Sequence, residues 1–350
     1  LLMISIGFLL SMVKVRLTIK LVISLSLLPL AWVAALAIFI ADGLLVPMIT
    51  PTIAYVLAIV ISLFWQWRNE ILMREKVHHT FGQFMAPDVV TELLQNSDEL
   101  ELTAELREIT LLFTDLEGFT SLTESTEPLV MVRLLNSYLE EACDIVITHG
   151  GTIDKIVGDA LHVMFNAPQY QTDHATRAVR CAIEIDTWSA SFRKRQQENG
   201  IKLGVTRIGV NTGNCVVGNF GGKKRLDYTA HGDAINSAAR LEAINQRLGT
   251  TVCVSEYTVK QCKGIYFRSI ATLVLRGKTI GIKTYTPHFG SRDQNAPSIL
   301  YEHVYDLLTD NDITSATLLN ELASLYPKDP LVSLHLARVN DGATDTTIII

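Results

Sequence analysis

Residues 21–41 and 43–67 form two uncharged apolar runs near the start of the chain, separated only by Asp42. Each is close to the ~20 residues a helix needs to cross a hydrocarbon core of ~30 Å, so the pair predicts a transmembrane helical hairpin with a very short turn. Pro29, Pro47 and Pro51 interrupt the runs, and membrane helices tolerate proline better than soluble ones do. The competing reading, a buried hairpin in a soluble domain, is weaker because adjacent uncharged spans of this length are rare there. Lys14, Arg16 and Lys20 precede the first run, and Arg68, Arg74 and Lys76 follow the second. The positive-inside rule therefore puts both ends in the cytoplasm. The expected location is the cell (inner) membrane, multi-pass, with the rest of the chain cytoplasmic. Residues 1–13 are apolar but too short to span alone, and no basic segment precedes them as in a signal peptide. A first residue of Leu1 rather than Met leads us to expect a longer parent chain.

Beyond Gln66 the composition is that of an ordinary soluble domain. The formal net charge is −6, which argues against a general nucleic-acid binder, although a small anionic ligand needs only a few local cations. The five cysteines, Cys143, Cys181, Cys215, Cys253 and Cys262, contain no CxxC pair. That arrangement suggests neither a zinc site nor a disulfide framework, and a reducing compartment is the simplest reading.

Residues 68–83 form a polar, helix-compatible connector, and a short helix is expected at 87–94 with Pro87 in its first turn. From Glu108 onward strands and helices alternate. A β-rich run at 109–113 is followed by apolar residues at helical spacing over 129–149, ended by Gly150-Gly151. Thr152–Val157 and Ala160–Phe165 read as two strands joined at Gly158-Asp159. A long amphipathic helix at 173–197 precedes strands at 205–211 and 215–219, then a helix at 234–247. A short strand at Val252 and a last pair of strands near Phe267 and Leu273 complete the pattern. The order predicts an α+β fold with helices packed on a largely antiparallel sheet. Residues 300–308 and 318–326 look like two further helices, and the Thr/Ile-rich tail is left unassigned.

The sharpest local signal is Phe113-Thr114-Asp115-Leu116-Glu117-Gly118-Phe119-Thr120. An aspartate leaves the end of a buried strand, and a glycine then permits a tight turn into a helix. One carboxylate and the first N–H groups of a helix face the same point, which suits magnesium with a triphosphate. In Asp154-Lys155-Ile156-Val157-Gly158-Asp159 a second carboxylate sits at a hairpin tip. Taken singly, either aspartate could equally be a turn residue. A third stretch runs from Arg225 through Asp227, Tyr228, Thr229 and His231 to Asn236 and Arg240. Asn236 and Arg240 are four apart on the expected helix and share a face; alone, they would read as a surface polar stripe.

Together, and in this order, these stretches resemble the class III nucleotidyl cyclases over about residues 108–287. The resemblance implies a ferredoxin-like cyclase domain. It divides the chain into a transmembrane region over 1–67, a juxtamembrane helical connector over 68–104, a catalytic domain over 105–288 and a C-terminal helical extension over 289–350. It implies that Asp115 and Asp159 hold two divalent metal ions (Mg²⁺ or Mn²⁺), with Leu116 serving through its backbone carbonyl. By the same resemblance Asn236 orients the ribose and Arg240 binds the phosphate charge that grows in the transition state, a task suited to a guanidinium fork. Lys155 and Thr229 fall where the family reads the purine edge. A donor-only lysine suits adenine N1, and a threonine hydroxyl can accept from N6. Guanine would set its N1–H against the lysine, so ATP is the expected substrate and cyclic AMP the product. Threonine at 229, in place of the aspartate of many adenylyl cyclases, resembles a bacterial subgroup often linked to bicarbonate response. Phe119, Thr120 and Lys278 are the remaining candidates for substrate contact, Lys278 as a phosphate ligand, although a solvated turn cation explains it almost as well. His231 departs from a usually apolar position and is given no role.

The family's site is shared between two chains, so the resemblance implies a homodimer with two equivalent sites. The hairpin and the stretch from Phe81 to Pro87 resemble bacterial cyclases that carry an extracellular CHASE-type sensor upstream. Two rival functions remain: a guanylate cyclase, and a catalytically silent nucleotide-binding regulator.

Overall fold

A computed structural model describes residues 17–45, 47–82, 104–222, 225–275, 277–288 and 296–349. The expected short helix at 87–94 and the apolar residues 1–13 lie outside these. The chain divides into two compact units, residues 1–87 and 88–350.

In the first unit, α1 (Leu17–Asp42) and α2 (Ile49–Gly82) form the expected pair of helices. Trp32 Nε1 donates to Thr52 Oγ1 at 3.2 Å, linking them, and Tyr55 is buried. Around that contact the helices expose apolar side chains, among them Leu30, Leu36, Ile40, Val56, Ile61 and Trp65. Water does not favour such a surface. Over Ile49–Asn69, α2 is long and apolar enough to cross a membrane; in α1 the apolar stretch found among the described residues is Ser26–Asp42, and the sequence continues it back to Leu21. The polar connector continues α2 as one helix to Gly82.

The second unit is an α+β fold around a mixed sheet of nine strands among the described residues. Its elements are β1 (Glu105–Leu116), α3 (Phe119–Ser125), α4 (Pro128–Thr148), β2 (Thr152–Val157), β3 (Ala160–Phe165), α5 (His174–Glu198), β4 (Thr206–Gly222), β5 (Arg225–His231), α6 (Asp233–Leu248), β6 (Val252–Ser255), α7 (Glu256–Val259), β7 (Tyr266–Val274) and β8 (Ile282–His288). These are followed by α8 (Ala296–Thr309), α9 (Ser315–Leu325), α10 (Pro330–Asn340) and β9 (Thr347–Ile349). The strand order is β2-β3-β1-β4-β6-β8-β7-β9, with β5 paired to β4. All neighbours are antiparallel except β4 with β6 and β7 with β9.

Alternation along β1 gives the sheet two buried faces. Leu112 packs with Val163, Phe165 and Val210 under Ala142 and Val146 of α4 and Ala178 and Ile185 of α5. Ile109, Leu111 and Phe113 point the other way, toward Ala234 and Ala238 of α6. The catalytic-site candidates lie on this second side.

Two expectations are corrected, and one unassigned segment gains a place. The two strands foreseen at 205–211 and 215–219 are one continuous β4. Asn211-Thr212-Gly213-Asn214 resembles a turn in sequence, yet it stays in register with β1, Thr110 facing Thr212. Thr212 Oγ1 is hydrogen-bonded to Thr110 Oγ1 at 2.8 Å and to Thr258 Oγ1 at 2.9 Å. Phe267 and Leu273 lie on the single strand β7, whose partner is β8. The unassigned tail forms β9, parallel to β7.

Helices α8 and α9 match the two foreseen, and α10 is additional. Tyr301, Val304, Leu308, Leu319 and Leu331 bury themselves against β7 and against Leu241, Ile244 and Leu248 of α6. Asp329 accepts the N–H groups of Leu331 and Val332 at the start of α10, and it pairs with Arg268 Nη1 at 2.6 Å. The C-terminal extension is therefore part of the core that supports α6.

Candidate active site

Two groups of candidate residues occupy different places on this side of the sheet. The first group centres on the end of β1 and the tip of the β2–β3 hairpin. Asp159 Oδ2 accepts the backbone N–H of Leu116 at 2.8 Å, which holds the hairpin tip against the last residues of β1 and brings Asp159 beside Asp115. Burial raises the Asp159 carboxyl above its ordinary range; the nearby Asp115 charge adds to this, while the Leu116 N–H and Arg207 oppose it. The chain leaves β1 through Gly118, whose φ of 69° favours glycine, and enters α3 with no side-chain cap. Phe119 packs partly buried near Leu116, Met131 and Leu134, while Thr120 is exposed on the first turn of α3.

Two residues that the sequence reading missed complete this group. Arg207 lies directly opposite Asp115 in the β1–β4 register. Its Nη2 forms an ion pair and hydrogen bond with Asp115 Oδ2, and its Nε lies 3.1 Å from Glu242 Oε1 of α6. The second contact has the distance of an ion pair without the alignment of a hydrogen bond. Helix α6 comes this close because residue 209 is glycine: a Cβ there would lie 2.3 Å from both the Ala238 carbonyl oxygen and the Glu242 nitrogen. Burial first, then the Asp115 and Asp159 charges, push the Glu242 carboxyl up to about 7 against the pull of Arg207. A cation at the start of a strand, just before the apolar Ile208 and Val210, was the available sequence signal for Arg207.

Three mutually unfavourable carboxylates around one guanidinium form a place that favours added positive charge. Among the described residues, no group of three His, Cys, Asp or Glu side chains is set to hold an ion. Magnesium commonly takes one or two protein carboxylates and completes its shell with water and substrate phosphates. Asp115 and Asp159 fit that pattern. Replacing Arg207 with methionine is expected to destabilise the metal-free chain by about 1–2 kcal/mol, because it leaves partly buried carboxylates without their cation. Thermal melting with and without Mn²⁺ checks this. The metal is expected to stabilise R207M more than wild type, and equal stabilisation would argue against an ion at these carboxylates.

The second group lines a cleft of about 400 Å³ between the β2–β3 hairpin, β5 and the start of α6. Lys155, Thr229 and Asn236 line it together, with Asp154, His162 and His231. Lys155 is exposed, its Nζ 3.3 Å from Asp154 Oδ2, whereas Thr229 is buried at the cleft wall. Lys278 Nζ donates to Ser237 Oγ at 2.8 Å and pairs with Asp233 Oδ2 at 2.7 Å. It is thus tied to the first turn of α6 beside Asn236. Arg240 lies one turn further along α6 and is half-buried. Asp115 and Asp159 do not line this cleft.

The fold thus presents two carboxylates at one place and a cleft with polar lining residues at another. The family described as "Adenylate and Guanylate cyclase catalytic domain" matches residues 102–288, and the chain belongs to it. The chain is 35% identical over 207 residues to adenylate cyclase 1 of Rhizobium meliloti, covering 59% of this chain and 31% of that protein. Among solved structures it is similar to the adenylyl cyclase CyaB from P. aeruginosa, with 34% identity and a TM-score of 0.51, covering 55% of this chain and 99% of that one. It is also similar to the guanylyl cyclase Cya2, with 31% identity and a TM-score of 0.50, covering 55% and 98%. The chain thus spans about a third of the length of the Rhizobium relative.

Proposed function

We propose that this chain is an adenylate cyclase that converts ATP to cyclic AMP and pyrophosphate for intracellular signalling. The observation that carries the reading is the single cleft that gathers Lys155, Thr229 and Asn236 in a cyclase-family domain. Relatives named adenylate cyclase support it. Lys155 donates to adenine N1 and the Thr229 hydroxyl accepts from N6, a polarity that guanine reverses. Asn236 orients the ribose, Arg240 takes up charge on the α-phosphate, and Lys278, held at the start of α6, adds a cation for the phosphates. Phe119 and Thr120 border the phosphate end.

Asp115 and Asp159 would hold two divalent ions, Mg²⁺ or Mn²⁺, with help from the Leu116 carbonyl. When bound, such ions lower the pKa of the ribose 3′-hydroxyl and neutralise the departing pyrophosphate. The carboxylates lie outside the cleft of their own chain, so the complete site is assembled by a homodimer, each chain supplying the carboxylates for its partner's cleft. Helices α1 and α2 anchor the chain as a hairpin in the cell membrane, with the cyclase domain cytoplasmic. Their exposed apolar surfaces and the flanking basic residues support this. An upstream sensor, of the kind the resemblance implies, would act through that hairpin.

Replacing Lys155 with methionine tests the base assignment. The kcat/KM for ATP is expected to fall by about tenfold to a hundredfold, and for GTP by much less. Equal losses with the two nucleotides would remove Lys155 from base selection.

A further inference from the structure

One residue of the cleft has no role in the foregoing account. His162 lies at the centre of β3, opposite Phe113 on one neighbouring strand and Lys155 on the other. Its ring stacks on Phe113 with centroids 4.1 Å apart and planes inclined by only 6°. That contact fixes the imidazole plane and leaves its edge facing the cleft, which His162 lines with Lys155 and Thr229. The residue is half-buried, yet neither ring nitrogen has a hydrogen-bond partner among the described residues. The two buried histidines of this unit, His174 and His335, are bonded within the fold: His174 Nδ1 to Thr110 Oγ1 at 2.7 Å, and His335 Nε2 to the Ile270 carbonyl at 2.8 Å. The His162 nitrogens are not among the buried polar atoms left without a partner, so the ring edge is open at the cleft and available to a ligand.

We infer that His162 is a base-binding residue, and that its imidazole edge hydrogen-bonds the purine ring beside Lys155. This rests on the nucleotide-cyclase reading above. An imidazole suits the place because its neutral form offers one donor and one acceptor, whereas Lys155 only donates and the cleft already holds its cation. The groups facing His162 are Phe113 on β1, Asp154 and Lys155 on β2, Thr229 and His231 on β5, and Asn236 on α6. Burial, and secondarily Lys155, lower the His162 pKa while Asp154 raises it. The ring is therefore neutral at neutral pH. Acid would place a second cation beside Lys155 and weaken the bond that needs its acceptor nitrogen.

The test uses the full chain and two variants. H162F keeps a flat ring on Phe113 but loses both nitrogens; H162N keeps a donor and an acceptor. ATP affinity is measured by equilibrium binding with a fluorescent ATP analogue and Ca²⁺, and KM by cyclic AMP formation with Mn²⁺. H162F is expected to weaken binding and raise KM about tenfold with kcat little changed, and H162N to recover most of the loss. Wild-type KM should rise as pH falls below the ordinary histidine value of about 6.5, because the His162 pKa is lowered, and the H162F profile should rise less there. ATP analogues lacking N1, N7 or the 6-amino group identify the atom: one of them should bind wild type about tenfold more weakly than ATP, yet bind H162F as ATP does. Equal affinity of wild type and H162F for ATP and every analogue would overturn the assignment. If the wild type bound nucleotide without turning it over, the cyclase reading would fail, and the binding measurements would still decide the role of His162.

Discussion

Replacing Asp159 with alanine is expected to abolish cyclisation without unfolding the chain. The carboxylate lies at the hairpin tip, accepts the backbone N–H of Leu116 and its own, and carries a charge that burial and Asp115 make unfavourable. Removing it relieves that repulsion, so the melting temperature should stay level or rise. The rate should fall by about a thousandfold or more, roughly 4 kcal/mol of transition-state stabilisation, because the ribose hydroxyl then has no ion to assist its ionisation. Cyclic AMP formation at saturating ATP and Mn²⁺, together with a melting curve, checks both halves of this expectation. A variant that cyclises ATP at a rate near wild type would remove Asp159 from the metal site.

The second large effect is a gain of activity from two inactive proteins. Asp115→Ala and Arg240→Ala should each be nearly inactive alone, one lacking a proposed metal ligand and the other the guanidinium proposed to bind the phosphate. Within a chain, Asp115 stands at the end of β1, outside the cleft lined by Lys155, Thr229 and Asn236. In a mixed dimer one site would combine an intact Asp115 with an intact Arg240, and the other site would carry both defects. Random pairing of equal amounts makes half the dimers mixed, each with one good site of two, so about a quarter of wild-type activity should return. The assay is cyclic AMP formation after co-expression, with mixed dimers verified by differential tags. No recovery in verified mixed dimers would mean that each chain completes its own site.

Much of this architecture was legible in the sequence because local pattern and tertiary role agreed. The hairpin Thr152–Val157 and Ala160–Phe165 has its turn glycine where the chain reverses, and helices form at 128–148 and 233–248 as expected, although α4 buries Met131, Leu134, Tyr138, Ala142 and Val146 rather than the neighbouring row Val132, Leu135, Leu139 and Cys143. The reading failed where contacts distant in sequence overrode local signals. Thr212, Gly213 and Asn214 look like a turn, but pairing with β1 and the buried Thr110–Thr212–Thr258 chain hold them in a strand. The tail 347–349 is too short to be recognised alone and becomes β9 only because β7 offers an edge.

The site followed the same rule. Asp115, Asp159, Asn236 and Arg240 stood out through motifs, each contained in a short segment. Arg207 and Glu242 belong to the site through a cross-strand register and a helix crossing at Gly209, which link positions far apart in the chain. His162 was passed over because β3 reads as an ordinary apolar strand, and only the packed sheet shows its imidazole in the cleft.

The central claim is that this cleft binds ATP and turns it into cyclic AMP. The most direct measurement compares the cyclic products formed from ATP and from GTP by the purified full chain with Mn²⁺. The account predicts cyclic AMP, with kcat/KM for ATP at least about tenfold above that for GTP. Preferential formation of cyclic GMP, or binding of both nucleotides without turnover of either, would contradict it.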